Sequence, residues 1–158
     1  MEPEKKFMEA AIEEAKKAAK GGDYAIGAVI IRDGKIIATG EDEVIKNGNP
    51  VLHAEIVAIQ EATKKLGRRF LQDCILYTTH EPCPMCASAA VWAKLKGIVS
   101  GAIKEDLIEY SKKFGDDKFS WRTIGIHCRD VLEKGTPRVK LVEGFMRDEC
   151  RKLFSLSK

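Results

Sequence analysis

The feature that most restricts the fold is an alternation of helical and strand-like segments between residues 54 and 102. Ala54, Ile56, Val57, Ala58, Ile59, Ala62 and Leu66 form an apolar stripe at helical spacing that Gly67 closes. Cys74 to Thr79 reads as a short buried strand and His80 to Cys83 as a turn. Pro84 to Leu95 then reads as a helix with proline near its first position, and Gly97 to Ala102 as another strand. Strands separated by helices pair in parallel, because parallel neighbours need a crossover of a dozen or more residues where a hairpin needs two.

The flanking segments extend this pattern. Glu4 to Lys20 is an amphipathic helix with Phe7, Met8, Ala11, Ile12, Ala15, Ala18 and Ala19 on one side, stopped by Gly21-Gly22. Ala25 to Ile31 and Lys35 to Thr39 are strand-like and joined by Asp33-Gly34, a hairpin signal, and Gly40 to Leu52 is loop. Beyond Lys104 the reading is a helix at Glu105 to Lys113, a polar loop through Ser120, a short helix at Cys128 to Glu133, a strand at Arg138 to Val142 and a last helix at Phe145 to Phe154. The long connection from the fourth strand to the fifth predicts that the two run parallel. The expected architecture is α/β with three layers, a five-stranded mixed sheet carrying helices on both faces. The 158 residues show no repeat or linker, so residues 1–158 are expected to form a single domain.

Composition removes several classes of function. The longest apolar run, Ala25 to Ile31, falls far short of the roughly 20 residues of a membrane span, and the basic start plus apolar core of a signal peptide is missing, so no membrane partner and a cytoplasmic location are expected. A net charge of +3 neither demands nor excludes nucleic acid. Five cysteines, two of them in a Cys-x-x-Cys, suit metal binding or catalysis better than a disulfide framework.

The chemistry concentrates in His53-Ala54-Glu55 at one helix start and Pro82-Cys83-Pro84-Met85-Cys86 at the next, with 27 residues between Glu55 and Cys83. One imidazole and two thiolates give a zinc ion three ligands of the kind it favours and leave a fourth position for water, as in catalytic sites. A closed structural site needs a fourth protein ligand, and neither Cys74 nor His80 is evidently placed to supply it. Helix N-termini favour thiolates, which suits Cys83 and Cys86. Glu55, two residues from His53, can take a proton from the activated water and deliver it to a substrate nitrogen; alone it would read as a first-turn carboxylate favoured by the helix dipole.

These motifs resemble the zinc-dependent cytidine and deoxycytidylate deaminase superfamily, which includes nucleobase and nucleoside deaminases such as guanine and cytosine deaminase and a tRNA adenosine deaminase branch. The likeness covers roughly residues 4 to 102 and includes Gly27-Ala28-Val29, Asp33-Gly34, His53-Ala54-Glu55-Ile56, Leu76-Tyr77-Thr78-Thr79 and Glu81-Pro82-Cys83-Pro84-Met85-Cys86. It implies one Zn2+ per chain held by His53, Cys83 and Cys86 with water as fourth ligand, Glu55 as proton shuttle, and substrate contacts from the backbone of Ala54 and Glu81. Trp92, in Val91-Trp92-Ala93-Lys94, resembles the Tyr-Trp-Ala-Arg of bacterial guanine deaminases and is expected to line the pocket or pack in the core. Family members usually hold the base with an Asn after the second strand; here the stretch is Gly40-Glu41-Asp42-Glu43, with Asp42 the nearest match. An ionised Asp42 only accepts hydrogen bonds and so favours a substrate offering ring N–H or amino donors. The resemblance also implies a homodimer.

The leading expectation is a hydrolytic deaminase of a free base or nucleoside of the guanine or cytosine class. Two alternatives stand beside it, a tRNA adenosine-to-inosine deaminase and a zinc-stabilised binding module in which Glu55 is idle. The segment after the fourth strand lacks the Gly- and Ser-containing stretch and the Asn-His pair usual in the tRNA branch. Lys64, Lys65, Arg68 and Arg69 end a helix, where cations are favoured, and are the best-placed contacts for RNA phosphates. Phe114, Phe119 and Trp121 could cap a pocket or meet another subunit, and His80 and His127 are assigned no catalytic role.

Overall fold

The computed structural model describes residues 1–116 and 121–157. Its elements are α1 (Lys5–Lys20), β1 (Gly27–Arg32), β2 (Lys35–Glu41), α2 (Ala54–Leu66), β3 (Cys74–His80), α3 (Pro84–Trp92), β4 (Gly97–Ala102), α4 (Lys104–Phe114), α5 (Cys128–Lys134), β5 (Lys140–Val142) and α6 (Arg147–Arg151), which runs into a 3-10 turn at Lys152–Leu156. Asp33 and Gly34 both have positive φ, 50° and 70°, the backbone a two-residue hairpin requires.

The strands form one sheet in the order β2-β1-β3-β4-β5. β1 is antiparallel to β2 and β3, whereas β3–β4 and β4–β5 are parallel, the last in the register Gly97↔Lys140 to Val99↔Val142. The mixed five-stranded sheet with its fifth strand parallel to the fourth is therefore as expected.

Alternating side chains of the central strands feed two cores. Ala28, Ile30, Leu76 and Ile98 pack with Ala54, Ala58 and Ala62 of α2, Ala87 and Ala90 of α3, and Leu132 of α5. Val29, Ile31, Tyr77 and Val99 pack on the other face with Phe7, Met8 and Ala11 of α1, Cys150 of α6 and Phe154. Two glycines allow this close layering. A Cβ on Gly27 would overlap the carbonyl of Ala11 in α1, and one on Gly40 would overlap the carbonyl of Ala54 and lie 2.6 Å from the Ala58 nitrogen in α2.

Several boundaries differ from the sequence reading, among them β1, which begins at Gly27 rather than Ala25, and β2, which runs to Glu41 rather than Thr39. α3 stops at Trp92 rather than Leu95 because Lys94 turns left-handed, φ 55°, and the N–H groups of Lys94 and Leu95 close back on Val91 and Ala90. β5 begins at Lys140 rather than Arg138. The last helix does not start at Phe145, since Gly144 and Met146 carry φ of 72° and 55°, and its second half is 3-10. Phe119 and Ser120 of the expected polar loop lie outside the described residues. No helix among the described residues is long and apolar enough to cross a membrane.

Candidate active site

His53 and Cys83 occupy the same position on neighbouring elements, each the N-cap of its helix, α2 and α3. Glu55 then falls in the first turn of α2 and Cys86 in the first turn of α3, behind Pro84. Unpaired N–H groups and the positive end of each helix dipole meet there, an environment that favours thiolates and carboxylates. The crevice lies at one end of the strands, where β2 and β3 end and β1 begins.

Nδ1 of His53 lies 3.6 Å from the sulphurs of both Cys83 and Cys86. Ligand bonds of about 2.3 Å to sulphur and 2.0–2.1 Å to nitrogen in a tetrahedral arrangement place such atoms about 3.6 Å apart, so the donor set fits zinc in chemistry and in spacing. The charges agree. Hydrogen bonding to Cys86 and the neighbouring imidazole bring the Cys83 thiol down to about 4 against the cost of burial, while Cys86, which carries the shared proton beside Cys83, is raised. The Cys83 hydrogen bond lifts His53 to about 9. Burial instead pushes Cys74 up to about 11 and Cys150 to about 12 and raises Cys128, as suits packing thiols.

Glu55 is 3% exposed. Its Oε1 accepts the Thr78 hydroxyl of β3 at 3.1 Å, and its Oε2 lies 3.6 Å from the Cys86 sulphur. Burial raises its carboxyl above the ordinary range, against the attraction of His53. A carboxyl raised in this way beside a metal donor set is suited to accept and return a proton.

These groups open into a cavity of about 430 Å3, whose wall includes Tyr24, Ile26, Asp42, His80, Met85, Lys104 and the Trp121–Ile124 segment. Lys104, itself buried, donates from Nζ to the carbonyls of Ile124, at 2.7 Å, and of Ile126, which ties that segment to the start of α4. Sequence reasoning missed Lys104, because a single lysine after a strand carries no motif.

Asp42 is placed in the cavity wall as expected, in a different protonation state. It is 2% exposed, and burial together with a hydrogen bond to Asp23 raises its carboxyl to about 9. Asp23 is itself buried and accepts the N–H groups of Tyr24, Ile45 and Lys46, each at 2.9 Å. Burial and the bond to Asp23 thus favour the protonated carboxyl of Asp42 over the ionised acceptor read from the sequence.

The other expected contacts are only partly brought together. Glu81 lines the cavity, but its N–H is taken by the Ala102 carbonyl at 2.7 Å. Its carboxylate accepts the N–H groups of Lys104 and Cys128 and meets His127 Nδ1 at 2.9 Å; these bonds overcome burial and hold its pKa below the ordinary range. Ala54 is fully buried in the core between α2 and the sheet and does not line the cavity. Trp92 is neither core nor cavity wall. It is 81% exposed on the outer side of α3, in a shallow depression with Val91 and Ile126. The Lys64, Lys65, Arg68 and Arg69 cluster lies at or beyond the far end of the 13-residue α2 from His53, roughly 20 Å away at 1.5 Å per residue, and Arg68 is paired with Asp73. Of the aromatic residues, Trp121 is buried in the cavity wall and Phe114 is exposed.

A three-layer sheet that presents a histidine and two cysteines from paired helix starts, with a buried glutamate alongside, defines a zinc-dependent deaminase fold. The chain belongs to the cytidine and deoxycytidylate deaminase zinc-binding family, whose model matches residues 1–102. It is similar to a guanine deaminase of Bacillus subtilis, 44% identical over 111 residues that cover 70% of this chain and 68% of the relative. It is also similar to a tRNA-specific adenosine deaminase of Buchnera aphidicola, 34% identical over 151 residues, 94% of this chain and 89% of the relative. Among solved structures, one from studies of A-to-I editing by tRNA:A34 deaminases superposes with a TM-score of 0.72 at 26% identity, covering 95% of this chain and 99% of the other.

Proposed function

We propose that residues 1–158 act as one deaminase domain that hydrolyses the exocyclic amino group of a free nucleobase or nucleoside of the guanine or cytosine class. One water adds across the ring C=N bond, the exocyclic C–N bond then breaks, the ring carbon keeps the oxygen as a carbonyl, and ammonia leaves. His53, Cys83 and Cys86 would hold one zinc per chain, and zinc in such a site would supply a Lewis acid that makes water nucleophilic near neutral pH. Glu55 takes one proton of the attacking water on its carboxylate and passes it to the ring nitrogen, then carries the second, from the added hydroxyl, to the amine, which leaves as ammonia. Thr78 holds Oε1 of Glu55 for this task. The observation that carries the reading is the placement of the buried Glu55 beside the donor set at the floor of a cavity of about 430 Å3, a size suited to a small ligand. The 44% identity to a guanine deaminase supports the guanine class.

A second reading is supported by the near-full-length likeness to tRNA-specific adenosine deaminases. Against it, the basic cluster at the far end of α2 is not beside the cavity, where an anticodon stem would bring its phosphates. Ammonia release from guanine, cytosine, their nucleosides and a tRNA anticodon stem at several salt concentrations separates the two. Free-base turnover with little salt dependence supports the first; turnover of RNA alone, falling steeply with salt, replaces it with the second. If Glu55→Gln leaves every property unchanged, the chain is a zinc-stabilised binding module.

The same reading has the chain pairing with a second copy through the outer side of the site helices, supported by the exposure of Trp92. Light scattering at the dimer mass is the expected result.

A further inference from the structure

Among the described residues, three buried side-chain polar atoms have no hydrogen-bond partner: Asp42 Oδ1, His80 Nε2 and Ser100 Oγ. Asp42 and His80 line the same cavity as Glu55. A buried polar group without a partner carries a desolvation cost, and a native fold keeps such a group where a ligand or water completes it.

His80 ends β3 and is 5% exposed. Its ring cannot swing freely. It lies parallel to Trp121, centroids 6.0 Å apart at 6°, and meets Phe154 edge-on at 4.8 Å. Its other nitrogen is fixed as well. Thr79 Oγ1 accepts the Gly27 N–H at 3.2 Å and lies 2.8 Å from His80 Nδ1. In the tautomer where the Thr79 hydroxyl donates to Nδ1, the ring hydrogen sits on Nε2, the otherwise unpartnered nitrogen. Burial holds His80 down at about 3, so the ring stays a neutral single donor through the physiological range. In that tautomer the wall of the cavity holds a partnerless ring N–H of His80 and a partnerless oxygen of Asp42, beside the ring of Trp121.

We propose that His80 is a specificity-determining residue whose Nε2–H donates to the carbonyl oxygen of the substrate base, selecting oxo-amino bases over adenine, which has no carbonyl. This deepens the free-base reading above and rests on it. Guanine and cytosine each offer both an acceptor oxygen and N–H groups to such a pair. Adenine offers ring nitrogens but no oxygen, and would leave the His80 donor buried and unpaired.

The test uses zinc-loaded protein and two readouts. In 15N-histidine spectra the chain has only three histidines, so the His80 signal is assignable by comparison with His80→Gln. Before ligand the expected pattern is a protonated Nε2 and bare Nδ1 that do not change between pH 5 and 8; hypoxanthine shifts the Nε2–H resonance and adenine does not. In kinetics, guanine is compared with 6-thioguanine, which keeps every N–H but replaces the carbonyl oxygen by a weakly accepting sulphur. The native preference for guanine is expected to be roughly 10- to 100-fold in kcat/KM and to fall towards one in His80→Leu, with His80→Gln, which retains a donor, in between. Should guanine turn over while the preference persists in His80→Leu and the Nε2–H signal ignores hypoxanthine, the proposal is overturned and the free-base reading stands. If His80→Leu does not fold, the native spectra and His80→Gln decide the matter. If the native enzyme ignores guanine and deaminates only RNA adenosine, both fail together.

Discussion

The hydroxyl of Thr78 donates to Oε1 of Glu55 at 3.1 Å, tying the third strand to the first turn of the second helix across the sheet–helix boundary. This bond orients the one buried carboxyl that faces the metal donor set. Thr78→Val keeps the shape and removes the donor. It is expected to lower kcat about tenfold, the size of one hydrogen bond to a charged group, with zinc content unchanged by metal analysis.

Metal removal tests the donor set. The protein is expected to carry about one equivalent of zinc, to lose activity and melt at a lower temperature after chelation, and to recover both on adding zinc back. Cys83→Ser should weaken zinc retention, whereas Cys128→Ser, on a thiol buried in the core away from the donor set, should not. Because the ligands must be deprotonated to bind, zinc affinity should rise with pH.

Gly40 links fold to site. A side chain there would press on the carbonyl of Ala54 and on Ala58, pushing outward the helix that begins at His53. Gly40→Ala is expected to destabilise by about 1–3 kcal/mol in denaturant titrations and also to weaken zinc binding. Gly27→Ala presses on α1, which carries no member of the donor set, and should cost similar stability without altering zinc affinity.

Asp106 gives a pH dependence whose sign is fixed. Burial would raise its carboxyl, but hydrogen bonds from Arg147, at 2.7 and 2.9 Å, and from the Ile103 N–H outweigh this and hold it below the ordinary value. A depressed folded value means stability that is present above about pH 3.9 and is lost as pH falls through the lower folded value. Arg147→Met is expected to lower the melting temperature at pH 7, because it removes both guanidinium hydrogen bonds to Asp106. In melts across pH the gap between native protein and variant should narrow below pH 4.

Much of this was legible in the sequence where local chemistry and periodicity coincide. The turn at Asp33-Gly34, the helix stripe from Ala54 to Leu66 and the proline at the start of α3 each carry their own signal, and the parallel fifth strand follows from connection length. The donor set was legible because both half-motifs sit at helix starts. The cavity wall was not. Trp121 and Lys104 reach the site through a long connection whose path depends on tertiary packing, and the proton on Asp42 depends on Asp23, nineteen residues earlier in the chain. Trp92 was misread because its neighbours Val91 and Leu95 suggest a buried stripe, yet α3 ends at Trp92 with that ring facing outward.

The most direct measurement of the central claim is ammonia release from guanine and cytosine by zinc-loaded protein, with Glu55→Gln assayed in parallel at equal zinc content. The account predicts turnover of at least one of these bases and a loss of several orders of magnitude in Glu55→Gln, since both the proton acceptor and the proton donor vanish with one carboxyl. Equal rates in the two proteins, or no turnover of either base while zinc remains bound, would contradict it.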